Sequence, residues 1–97
     1  MKIMLKWQLH TGKLHSILDQ FSKMTPEQEL QLGDSQVKLI CRWHDLARGS
    51  GFAVYETESA EAFAKYTLSW NEHMDLESSI VLDDDEARAV AKGLNAQ

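Results

Sequence analysis

Near the amino end the spacing of apolar residues changes period, and this change restricts the fold more than any other feature. Ile3, Leu5, Trp7 and Leu9 alternate with Lys2, Met4, Lys6, Gln8 and His10, which gives a strand one apolar and one mostly polar face. Beyond Gly12, the residues Leu14, Ile17, Leu18 and Phe21 recur at helical spacing, the stripe of an amphipathic helix. A half-buried strand followed at once by a half-buried helix needs further strands and a second helix to complete a core.

The rest of the chain supplies them. Thr25-Pro26-Glu27-Gln28 predicts a short capped helix that stops at Gly33-Asp34, with Gln28 able to close a capping box. A second strand is expected over Gln36 to His44. Val37, Leu39, Cys41 and Trp43 would form its core face, and Lys38, Ile40, Arg42 and His44 the other. Arg48-Gly49-Ser50-Gly51 turns the chain into a third strand, in which Ala53 and Tyr55 oppose Phe52, Val54 and Glu56; the short spacing predicts a hairpin. Ser59 is the expected cap of a helix with the stripe Ala60, Phe63, Ala64, Thr67 and Leu68. A fourth strand follows over Met74 to Leu82, and Asp83 with Glu86 should start a final helix striped by Ala87, Val90, Ala91 and Leu94. The tail is expected to fray.

The order predicts one α+β domain over residues 1–97, a ferredoxin-like βαββαβ unit with a four-stranded antiparallel sheet and an extra C-terminal helix. At 97 residues the chain falls in the size range of one domain and has little surface to bury, so pairing with a second copy is expected. Both long helices cover one sheet face. The open face would then carry Met4, Lys6, Gln8 and His10, together with Lys38, Ile40, Arg42, His44, Phe52, Val54 and Glu56. Cross-strand pairing of Lys6 with Glu56 is one account of that mixture. Two such faces pressed together, enclosing a semi-polar cavity, is another.

Charge and residue usage exclude several partners. The net charge is −5 with no basic cluster, so the footprint required by a phosphate backbone is missing. Cys41 is the sole cysteine, which rules out an internal disulfide and fits a reducing compartment. No apolar run approaches a membrane span, and the charged opening Met1–Lys6 does not suit a signal segment. A cytoplasmic protein without membrane or nucleic-acid partners is expected. Arg48-Gly49-Ser50-Gly51-Phe52-Ala53-Val54-Tyr55 partly matches an RNA-recognition strand. The match fails chemically, because Ser50 and Met4 stand where stacking aromatics belong.

Lys38 to Leu46 followed by Gly51 to Thr57 is similar to a set of short, mainly bacterial proteins known only as a domain of unknown function. These are grouped with the dimeric α/β-barrel proteins. The likeness extends to Trp7-x-x-His10-x-Gly12, Met24-Thr25-Pro26-Glu27, Trp70-Asn71 and Val81-Leu82-Asp83-Asp84. The resemblance implies a ferredoxin-like subunit and a dimer, and brings no established activity. By family pattern, His10, Arg42, Trp43, His44, Asp45 and Glu56 are the residues that would carry function.

The catalytic candidates are His44 and His10, since imidazole is the side chain that titrates near neutral pH. Lys6, Arg42, His44 and Glu56 are candidate ligand-binding groups, with Arg42 able to clamp an anion or, alternatively, to pair with Glu56. No spacing among His10, His15, His44 and His73 matches a metal motif, and no cofactor is implied. Trp7, Trp43 and Cys41 are expected in the core. Two functions compete: a cavity for a small polar or anionic organic molecule, and a non-catalytic homodimeric module. RNA binding ranks third.

Overall fold

Four strands and four helices follow the order that the periodicities predict. They are β1 (Lys2–Leu9), α1 (Leu14–Lys23), α2 (Pro26–Leu32), β2 (Lys38–Asp45), β3 (Ser50–Glu56), α3 (Ala60–Leu68), β4 (Met74–Val81) and α4 (Asp84–Asn95). The computed structural model describes residues 1–95; of the tail expected to fray from Gly93 on, Gly93 to Asn95 are helical and the last two residues lie outside the described ones. The sheet has the order β2-β3-β1-β4, with each neighbouring pair antiparallel. This is the ferredoxin-like arrangement, with the chain's first strand at the centre.

Local chemistry sets the helix starts. Thr25 accepts from the Gln28 amide at 3.1 Å while the Gln28 side chain accepts from the Thr25 amide at 2.9 Å. Asp83 and Glu86 repeat the exchange before α4 at 2.8 and 3.0 Å. Ser59 caps α3 through the Ala62 amide. Each cap satisfies donors that a helix start would otherwise leave bare.

The core lies between one sheet face and α1 and α3. Ile3, Leu5, Ala53 and Tyr55 meet Ile17, Ala62, Phe63 and Tyr66, with Val37, Trp70 and Met74 closing the ends. Gly33 and Gly51 are required here for space. A Cβ on Gly33 would stand 2.6 Å from Val37 Cγ2, and one on Gly51 would overlap the Trp7 ring and the Trp43 carbonyl.

In β2 the alternation breaks. Leu39 pairs with Tyr55 but Cys41 pairs with Val54, so Ile40 is an extra, bulged residue. A bulge turns every later side chain to the opposite face. Arg42 is opposite Ala53 and His44 opposite Gly51, both on the helix side, whereas Cys41 and Trp43 share the open face with Val54 and Phe52. The expected faces are therefore inverted: Trp43 is 66% exposed rather than core, and Cys41 is half-buried on the outer side. Trp7 does pack against the core, as expected.

Replacing Gly51 with Ala should destabilise the protein by about 2 kcal/mol, since the Trp7 ring and β2 cannot both stay in place. Urea unfolding followed by tryptophan emission checks this; an unchanged midpoint would show that Trp7 is free to move.

Candidate functional site

The bulge places Arg42 beneath α2, where its side chain is only 12% exposed. A guanidinium that deep needs a counter-charge. Glu29 of α2 provides it through both carboxylate oxygens: Nη2 bonds Oε1, and Nη1 lies 3.2 Å from Oε2. Tyr66 Oη donates to Glu29 Oε1 at 2.8 Å, and the Tyr55 and Tyr66 hydroxyls are bonded at 2.7 Å. Arg42 Nη2 also lies 3.2 Å from Tyr55 Oη and 3.4 Å from Tyr66 Oη. The guanidinium carbon sits 5.2 Å over the Phe21 ring, which adds a cation–π contact.

This polar knot forms one end of a cleft between the sheet and the helices. Trp7, Leu9 and Leu76 of the sheet, Leu14, Leu18 and Phe21 of α1, and Trp70 after α3 line it, with Glu29, Arg42, Tyr55, Tyr66 and His44 supplying polarity. Its interior offers about 70 Å³ to the centres of water molecules, several times what one water needs. The Trp70 Nε1–H is buried and, among the described residues, has no partner.

His44 stands at the mouth, its ring edge-on to Trp7 and Phe21 at 5.3 Å each. Among the described residues it has no hydrogen-bond partner. Burial first, and the Arg42 charge second, hold its pKa below the usual imidazole range, so near neutral pH it is an uncharged acceptor. Burial and the neighbouring Tyr55 push the Tyr66 phenol up, despite the Arg42 charge. For Arg42, burial opposes the charge, but the Glu29 bond and the tyrosines outweigh it and raise the pKa.

The expected site residues are therefore divided between two faces. Arg42 and His44 reach the cleft, with Glu29 rather than Glu56 as the partner of Arg42. Asp45 does not orient His44; it accepts from the Arg48 amide at 3.2 Å. Lys6 lies on the open face between Phe52 and Glu77, whereas Glu56 lies between Lys2 and Lys38. The proposed Lys6–Glu56 pair is thus out of register. His10 is turned to Asp75, 3.0 Å away, outside the cleft lining. No three potential metal ligands converge among the described residues.

Glu29, Tyr55, Tyr66, Phe21 and Trp70 were not among the expected site residues. Only the pair of tyrosines at adjacent core positions hinted at a buried polar group, because a buried phenol seeks a partner.

Removing one member of the buried pair should cost more than removing both. Glu29→Gln is expected to lose about 3 kcal/mol, and Glu29→Leu with Arg42→Met clearly less; chemical denaturation of both decides it. His44 should also mark the pH profile. Because its folded pKa is depressed, the unfolded chain takes up protons first as pH falls below about 6.5, so stability declines there and levels off once folded His44 is protonated. Water still screens this ring, so the loss should stay below about 1 kcal/mol, and thermal melts of His44→Gln should lack it.

Among the solved structures, the chain resembles an L-rhamnose mutarotase from Formosa agariphila. The two share 16% identity at a TM-score of 0.52, covering 86% of this chain and 94% of that one. It also resembles an uncharacterised NIPSNAP domain protein from Burkholderia xenovorans at 12% identity and a TM-score of 0.48, covering 87% and 97%. At these identities the likeness to the mutarotase speaks for the fold alone. No curated protein matches. The model of the family "Domain of unknown function (DUF3303)" matches residues 1–95, and the chain belongs to that family.

Proposed function

We propose that the cleft binds a small cyclic organic molecule bearing hydroxyl or carbonyl groups, with His44 as its hydrogen-bond acceptor or proton shuttle. One observation carries this reading. An uncharged imidazole without a protein partner stands at the mouth of an apolar cleft that has a polar floor. Such a combination is the common form of a small-molecule site.

The charge of Arg42 is already matched by Glu29. The cleft therefore favours a neutral polar molecule over an anion. The cleft also lies within one subunit, so a ligand there does not require a cavity between two copies.

A second reading rests on the same knot. Arg42, Glu29, Tyr55 and Tyr66 satisfy one another, as expected of a structural tie in a non-catalytic module. The test is tryptophan emission during titration with phenols and reducing sugars, the latter included because one neighbour is named for L-rhamnose. Native mass spectrometry of the protein as purified would accompany it. Saturable binding that His44→Ala weakens about tenfold, with an unchanged melting temperature, is the expected result. No retained mass and no saturation across the panel would leave the structural tie as the function of the knot.

A further inference from the structure

The hydrogen-bonding groups that the cleft leaves unused decide what can bind there. Tyr66 gives its hydroxyl proton to Glu29, so in the 2.7 Å contact between the two phenols Tyr55 is the donor. Neither hydroxyl keeps a proton for a ligand. Glu29 accepts from Arg42 through both oxygens and from Tyr66 as well. Arg42 Nη2 is shared among Glu29, Tyr55 and Tyr66. Of the guanidinium N–H groups, only that on Nε and one on Nη1 lack a partner among the described residues.

The other polar groups of the lining contribute little. Asp45 and Ser50 reach the rim, but they pair at a register position of the open face and line the depression on that side. The Trp70 Nε1–H is sealed from solvent. What remains is the His44 imidazole and two N–H groups of Arg42, at alternate positions on one face of β2. Elsewhere the walls are apolar: Trp7, Leu9 and Leu76 of the sheet, and Leu14, Leu18 and Phe21 of α1.

Polarity in the cleft is therefore one-sided. A sugar carries hydroxyls around its whole circumference. Most of them would be pressed against hydrocarbon, without the hydrogen bonds they make in water, at a cost that outweighs the gain from burial. An aromatic ring with its oxygens on one edge suffers no such loss. Trp7 and Phe21 flank His44 at 5.3 Å each, so a ring whose hydroxyl reaches the imidazole also meets aromatic walls, which favour edge-to-face or offset contacts.

The geometry points to a hydroxyarene as the ligand class, an aromatic ring with one or two oxygens along a single edge. That edge faces His44 and Arg42, and the bare edge meets Leu14 and Leu18. The inference rests on the cleft being the binding site.

Calorimetric titration of the whole chain with p-cresol, toluene and L-rhamnose tests it. The expected result is saturation by p-cresol, binding of toluene about tenfold weaker for want of the oxygen, and no saturation by L-rhamnose over the same range. His44→Ala should weaken p-cresol far more than toluene, whereas a general loss of packing would weaken both alike. Saturation by L-rhamnose at the concentrations that suffice for p-cresol, or lower, overturns the hydroxyarene while leaving the cleft a binding site. So does equal affinity for toluene and p-cresol, or a preference for p-cresol that His44→Ala leaves intact. Binding of none of the three overturns the cleft reading and this proposal together.

Discussion

The single extra residue at Ile40 governs the chemistry of this domain. Without it, strict alternation along β2 would send Arg42 and His44 to the open face and draw Trp43 inward. With it, a guanidinium is driven under α2, where burial without a partner would be severely unfavourable. Glu29 answers that charge, and the two tyrosine hydroxyls complete the shell. Glu29 belongs to a helix with no fully buried residue, so the ion pair, together with Leu32 packed against the core, fixes α2 to the body. The cost of taking two charges out of water is offset only when the geometry is this complete.

Consequences run outward from Arg42. Its charge helps keep His44 neutral, and Phe21 lies between the guanidinium and α1. Trp7 occupies the space that Gly51 leaves free, and its ring edge contacts His44. The cleft is therefore bounded by groups that hold one another in place. An opening in the core of so small a domain sacrifices packing contacts, and the tight knot at its floor limits how far the walls can relax.

Much of the fold was legible because its determinants are local. Thr25 with Gln28, Asp83 with Glu86, and Ser59 each announce a helix start by short-range hydrogen bonding, and each cap forms. The strand–helix alternation gave the topology because each period buries one face. The bulge was illegible for a physical reason. In Leu39-Ile40-Cys41 every side chain tolerates either face, so apolar periodicity carries no record of a one-residue slip. The reversal of Arg42, Trp43 and His44 follows from that ambiguity alone. Glu29 was hidden differently: a carboxylate on a short polar helix resembles solvated surface until the arginine beneath it is located.

The C-terminal helix shows the complementary limit. Its amphipathic stripe is plain in the sequence, but amphipathy states only that a face needs cover, never where the cover lies. Here the answer turns on the root. Lys2 belongs to the central strand, and by holding Asp83 and Glu86 it ties the helix direction to the sheet itself. A flexible tail with the same stripe could collapse onto its own open face and satisfy both surfaces within one chain. A helix fixed at its base leaves its apolar stripe uncovered within the single chain. The helix side of the sheet holds the cleft, and the outer side stays open with Trp43 and Phe52 exposed.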